Sequence, residues 1–225
     1  MRRLAAIFLC LSLLLLPVRA QESTKYVVLT FDDGPSGRFT RHLLDGLAER
    51  GAKATFLLCG YRMEQYPELV IRMLEEGHEI GVHGYSHDCM GSMRKQTLER
   101  ELSKCHVLLP PDYAPVFLRP PGGAVSETVR TVAAEAGLAI LFWNVDPRDW
   151  ATEKAGAVEA AVLGRVQDGD VVLLHDMSDS SVEAALKIVD VLQERGFVFV
   201  TASELAALRG ITPEPGGQYR KFPPA

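Results

Sequence analysis

The chain has 225 residues, 47% of them hydrophobic and 24% charged, with a formal net charge of −5 at pH 7. That is ordinary globular composition with enough apolar material for one sizeable core, and it excludes disordered, collagenous and coiled-coil chains. The acidic balance, with no cluster of Lys or Arg, argues against a nucleic-acid partner or a general attraction to anionic lipid.

Arg2 and Arg3 precede an apolar run from Leu4 to Val18 in which Ser12 is the single polar residue, and Val18 and Ala20 are small residues at signal-peptidase spacing. Residues 1–20 therefore read as a secretory signal peptide cut after Ala20, with an uncleaved membrane anchor as the alternative; the run is short for a full span. Cleavage would remove three arginines and leave 21 basic against 29 acidic residues, a net charge of −8. The expected location is outside the cytoplasm, secreted or in the cell envelope. Export leaves Cys59, Cys89 and Cys105, too few for a disulfide framework and not spaced as a structural zinc motif. Cys59 is expected in the core at a strand end, with Cys89 and Cys105 as the candidate pair.

From Tyr26 onward strand-like and helix-like segments alternate. Strands are expected at 26–31, 53–58, 79–82, 116–118, 138–145, 170–174 and 197–200. Helices are expected at 38–50, 66–76, 93–109, 126–136, 153–166, 180–195 and 202–208, several closed by glycine. Residues 21–209 then form one catalytic domain, and residues 210–225, rich in proline and glycine, a flexible tail. About seven β/α units with strands apolar on both faces predict a parallel sheet. Periodicity alone fits an open sheet or a barrel. Asp32, Asp33, His83, His87, Arg119, Asp146, Asp149 and His175 all fall just past strand C-termini, which converge on one mouth in a distorted (β/α) barrel.

The motifs at these ends carry the chemistry. TFDDGP (30–35) sets two carboxylates before a turn that can splay both into one cavity, one for a metal and one left as a base; such pairs also serve as turn or capping residues. HGYSH (83–87) places two imidazoles four apart, able to meet one ion. RPPGG (119–123) offers an arginine for a bidentate grip on a carboxylate, and glycines for close backbone approach. VDPRDW (145–150) adds Asp149 and Trp150, and LLHD (173–176) puts His175 where a general acid could stand. His42, His78 and His106 read as ordinary surface or core-edge histidines.

With those five motifs in this order over roughly residues 25–205, the chain resembles the polysaccharide deacetylases, the NodB-homology family also grouped as carbohydrate esterase family 4. The resemblance implies a distorted barrel and a divalent ion, zinc or alternatively cobalt or another, held by Asp33, His83 and His87. It implies Asp32 as general base positioned by Arg119, His175 as general acid tuned by Asp149, Trp150 and Leu173 lining an acetyl pocket, and the Gly122 N–H as oxyanion donor. The implied reaction removes N-acetyl groups from N-acetylglucosamine in a glycan, peptidoglycan or chitin oligomers, by a monomeric enzyme. A metal amidase or esterase on another acyl group, and a weakened carbohydrate-binding homologue, are the competing readings. One departure stands out: the family usually has Ser or Thr after the first histidine ligand, where this chain has Gly84, so a contact bracing the histidine loop is expected to be lost.

Overall fold

The computed structural model describes residues 24–224; the expected signal peptide lies outside them. Among these residues eight strands and eight α-helices follow one another: β1 (Lys25–Asp32), α1 (Arg38–Glu49), β2 (Thr55–Leu58), α2 (Gly60–Gln65), α3 (Pro67–Glu75), β3 (Glu79–Val82), α4 (Lys95–His106), β4 (Phe117–Leu118), α5 (Glu127–Glu135), β5 (Ala139–Leu141), α6 (Ala155–Leu163), β6 (Val171–His175), α7 (Asp179–Glu194), β7 (Phe197–Phe199), α8 (Ala202–Leu208) and β8 (Gln218–Tyr219). Every strand ladder is parallel. Among the described residues no helix is long and apolar enough to cross a membrane.

The sheet runs β6-β1-β2-β3-β4-β5-β8, with β7 also on β1. The lower half of β1 pairs with β7 and the upper half with β6, on opposite edges: the Tyr26 carbonyl accepts from Gly169 N–H on the β6 side and the Val27 carbonyl from Val200 N–H on the β7 side. The curl closes where the chain beyond β5 meets β6: Val145 bridges Val172, and Leu173 N–H donates to the Val145 carbonyl at 2.9 Å. The result is a distorted barrel.

Alternation along β1 sorts its side chains. Val27, Leu29 and Phe31 join the core layer beneath the helices, which includes Leu43, Leu44 and Leu47 of α1. Val28 belongs to the interior cluster with Leu57, Phe117, Leu141 and Val171. With a period of two, Thr30 and Asp32 follow Val28 on the inward face. Helix starts are secured by side chains: Ser126 accepts from Val129 N–H, Ser178 from Ser181 N–H, and Thr201 with Glu204 forms a capping box.

Four expectations need correction. Helix α2 was not anticipated, because only Gly60 and Met63 of it are buried and no apolar period marks it. Strand β5 ends at Leu141 rather than running to residue 145, since the chain must leave the β4 ladder to reach β6. Cys89 and Cys105 are not paired; Cys89 is exposed while Cys105 is buried, and all three described cysteines are free.

The fourth concerns the tail, which is docked rather than loose. Its strand β8 pairs with β5, Ile140 and Phe142 donating to the carbonyls of Gly217 and Tyr219 at 2.7 Å each. Phe222 is 0% exposed, stacked on Tyr219 with ring centroids 5.8 Å apart and edge-on to Phe117 at 6.5 Å. Gly169 at φ +91° lets the tail approach; a Cβ there would lie 2.2 Å from the Phe222 carbonyl oxygen. The proline and glycine content signals an irregular path, and the two aromatic rings supply the burial that holds it. Phe222→Ala should destabilise the fold by about 3–5 kcal/mol. Urea unfolding tests this as a lowered midpoint at unchanged slope; a parental midpoint would mean the tail is not part of the cooperative fold.

Candidate metal centre and active site

Asp32 is the last residue of β1 and Asp33 the first beyond it. In a continuing strand they would point to opposite faces. Asp33 instead takes φ 74°, a left-handed conformation uncommon for a non-glycine residue, and both carboxylates reach one cavity. The turn that follows is held from β6's far end: Ser36 donates to the Asp176 carbonyl and Thr40 to the Asp176 carboxylate. Burial raises the Asp176 carboxyl to about 6.

Across the cavity, His83 follows β3 directly, and His87 sits at φ 66° at the end of the intervening loop. Asp33 Oδ1 lies 3.3 Å from His83 Nε2 and 3.0 Å from His87 Nε2. His83 Nδ1 is 2.6 Å from the Arg119 carbonyl. A carbonyl can only accept, so Nδ1 carries a proton and Nε2 is the ring atom turned to Asp33. Burial works against ionising Asp33, yet the facing imidazoles outweigh it and hold its carboxyl well below the usual carboxylate range. In return Asp33 raises the pKa of His87.

These three residues form a group whose donor atoms lie within 4.8 Å of one another. Asp33 Oδ1 is buried without a hydrogen-bond partner, a costly state for a carboxylate oxygen unless a cation meets it. One carboxylate and two neutral imidazoles are a donor set suited to a divalent ion with positions left open. The residues present therefore fit a bound divalent metal.

Two further pairs flank this centre. Arg119, 0% exposed, donates to Asp32 Oδ1 at 2.6 Å and Thr30 Oγ1 at 2.8 Å, and to the carbonyls of Leu141 at 2.8 Å and Phe142 at 2.9 Å. Burial lowers the guanidinium pKa, against the opposing pull of Asp32. The other oxygen of Asp32 stays towards the centre, 3.8 Å from His83 Nε2. On the opposite side both oxygens of Asp149 hold His175: Oδ1 lies 2.8 Å from its Nδ1, and Oδ2 accepts its backbone N–H at 2.8 Å. His175 Nε2 then faces Asp33 Oδ2 at 3.9 Å. Burial, the largest single effect, would lower the His175 pKa, but the hydrogen bond and charge of Asp149 together with Asp32 and Asp33 outweigh it and raise it to about 9.

A cleft runs outward from here, lined by Asp33, Asp149, Trp150, His175, Met177 and Ser178. Trp150 is 62% exposed at its rim, with the Arg148 guanidinium 5.3 Å from its ring. Leu173 is buried on β6, two residues before His175 and thus on the same strand face. Gly122 lies exposed on the turn after β4, with nothing within 4 Å of where a Cβ would stand. Asp146 takes no part in the centre and accepts from the Arg148 backbone N–H instead. His42 and His106 are exposed, and His78 is buried and accepts from Ala54 N–H. Asp176, Thr40 and Thr30 also hold the site; Thr30 and Asp176 stand at the edges of the TFDDGP and LLHD motifs, and Thr40 lies between charged residues on α1 with no spacing to mark it.

Known proteins share this arrangement of sequence and fold. The family described as polysaccharide deacetylase matches residues 19–141. The peptidoglycan-N-acetylglucosamine deacetylase PgdA of Listeria monocytogenes is 38% identical over 186 residues, 82% of this chain and 39% of that protein. This chain thus spans about two fifths of that relative's length. A peptidoglycan-N-acetylglucosamine deacetylase of Bacillus cereus is 37% identical over 187 residues, covering 80% of this chain and 88% of the relative. A family 4 acetyl xylan esterase from Clostridium thermocellum, solved with a cobalt ion, superposes with a TM-score of 0.82 at 32% identity, covering 88% of this chain and all of that one.

The Asp149–His175 pair gives a pH test. In metal-free protein, Asp149→Asn should bring the His175 pKa from about 9 down towards the ordinary 6.5. A raised histidine pKa stabilises the fold fully below the unfolded value, and that contribution is lost as pH rises through the folded one. The stability gap between parent and D149N should therefore be widest below about pH 6.5 and narrow towards pH 9. NMR titration of the imidazole resonances measures the pKa directly; an unmoved His175 would remove Asp149 from this role.

Proposed function

The chain belongs to the polysaccharide deacetylase family, and from that premise we propose that it is a zinc-dependent hydrolase removing the N-acetyl group from N-acetylglucosamine residues of a glycan. The proposed glycan is peptidoglycan, with chitin oligomers as the alternative polymer. The observation that carries this reading is the buried, unpartnered Oδ1 of Asp33 between two imidazoles, flanked by a carboxylate on an arginine and an imidazole on a carboxylate. The two relatives named for peptidoglycan N-acetylglucosamine support the choice of glycan. The apolar N-terminal segment supports export to the compartment where an envelope glycan is met.

A divalent ion held by Asp33, His83 and His87 supplies Lewis acidity and a water of lowered pKa. Asp32 is the base in this reading: Arg119 fixes one oxygen and the other is free to take the proton of the attacking water. The Gly122 N–H donates to the oxygen that gains charge as the acetyl carbon becomes tetrahedral. His175, whose bond to Asp149 favours the protonated ring, gives its Nε2 proton to the departing nitrogen. Asp149 keeps that imidazole in place throughout. Acetate and a free amino sugar leave. Trp150 and Leu173 enclose the acetyl methyl.

A second reading, an O-acetyl esterase, draws support from the likeness to the acetyl xylan esterase. Purified, zinc-loaded chain offered peptidoglycan, N-acetylglucosamine oligomers and acetylated xylan, with released acetate as readout and a chelated control, separates the two. We expect acetate chiefly from the N-acetylated glycans; release from xylan alone would overturn the amide assignment. Asp32→Asn should keep zinc while turnover falls by about 10²–10⁴-fold. His83→Ala should fail to retain zinc in elemental analysis, and parental zinc content in it would break the ligand assignment.

A further inference from the structure

The loop joining the two histidine ligands is gripped from both sides. On one side the first N–H groups of α2 take its carbonyls, Gly60 to Gly84 at 2.9 Å and Tyr61 to Tyr85 at 3.1 Å. On the other, one oxygen takes three donors. Oε2 of Glu101 accepts from Tyr85 N–H at 2.9 Å, Ser86 N–H at 2.8 Å and the Ser86 hydroxyl at 2.9 Å. The Tyr85 side chain is pinned as well, its hydroxyl on Glu64 at 2.9 Å and its ring under Lys104 Nζ at 4.3 Å.

Glu101 is out of character for its position. It lies on the buried face of α4 beside Leu98, Leu102 and Cys105. A carboxyl group on such a face is costly unless its oxygens are satisfied, and the loop supplies the donors that satisfy it. The loop needs an acceptor in turn, because its N–H groups turn inward where no strand can pair with them.

Gly84 explains why the acceptor comes from a neighbouring helix. Its φ of +88° is strained for any L side chain, and a Cβ there would stand 2.6 Å from Met90 Cε. The same Cβ would lie 3.6 Å from Glu101 Oε2. Position 84 and Glu101 thus address one spot in the loop, and in this chain the glutamate holds it.

We propose that Glu101 is a positioning residue that pre-forms the metal-binding loop, holding His83 and His87 at the spacing that lets both rings meet Asp33 before any ion arrives. The proposal rests on reading Asp33, His83 and His87 as the metal centre. His87 needs the help most: its backbone is left-handed at φ 66° and its ring is 45% exposed, so packing alone does not keep it 3.0 Å from Asp33. Removing the three-way acceptor should let the loop relax and carry that ring away, weakening the ion's hold without touching a ligand.

Zinc affinity of the full chain, measured by chelator competition without any glycan, tests this. Glu101→Leu keeps apolar packing on α4 and removes the acceptor; its zinc Kd should rise about 10–100-fold, with acetate release restored by excess zinc. Glu101→Gln still offers an amide oxygen to the loop and should stay within about fivefold of the parent. An E101L Kd within about threefold of the parent overturns the proposal, and so does an equal loss in E101L and E101Q, which would assign the effect to charge. If E101L does not fold, Glu101→Asp takes its place, its carboxylate one methylene short of the loop. Weaker zinc binding there supports the proposal and parental affinity overturns it. A parent that binds zinc but releases no acetate from any glycan would sink the deacetylase reading and leave this one standing. A parent that binds no zinc would sink both.

Discussion

The Arg119 guanidinium inside the barrel is the contact on which the rest of the site depends. It is a cation with no exposure to water, and its donors are spent on Thr30 and Asp32 of β1 and on the carbonyls that end β5. Its own backbone carbonyl takes the Nδ1 proton of His83. One residue thereby fixes the orientation of the proposed base, the tautomer of a proposed ligand and the spacing of strands that are not neighbours. Burying such a charge is expensive, and truncating one member of a buried pair typically costs about 3–5 kcal/mol. The interior is therefore not a generic apolar fill at its upper end; it is built around an ion pair that includes the proposed base.

Around that pair the site divides its labour by environment. Asp32 and Asp33 are adjacent in sequence and carry the same side chain, yet one meets a guanidinium and the other meets two imidazoles. The left-handed backbone at Asp33 makes the division possible, turning a residue that would face outward into the cavity. His175 and His83 differ in the same way. A carboxylate on Nδ1 favours the charged imidazole, which suits a proton donor, whereas a carbonyl on Nδ1 fixes the tautomer and turns Nε2 to the cavity, which suits a ligand.

Much of this was legible in the residues. Strands β1 to β6 announce themselves as apolar runs covered on both faces, β7 as an apolar run with Val198 exposed, and polar residues falling at strand ends, from Asp32 to His175, pointed to one mouth. What could not be read has physical reasons. Strand β8 is two residues long and is held by rings rather than by an apolar period. Helix α2 buries too little to show a stripe. Glu101 sits mid-helix, where a glutamate ordinarily means solvent, and nothing in its spacing says that it serves a loop fifteen residues earlier. The expected pairing of Cys89 with Cys105 failed because sequence distance carries no information on which side of a helix faces water.

The partners of β1 bear on how the site is assembled. Lys25 pairs with Phe197 and Asp32 with His175, so the first described strand finds its partners almost at the far end of the chain. Contacts of such sequence separation carry a loop-closure cost that slows folding. The proposed base comes from β1 and the proposed acid from β6, and these two strands meet only when that long closure is made. A chain in which β6 has not yet joined β1 would therefore hold the proposed base without the proposed acid.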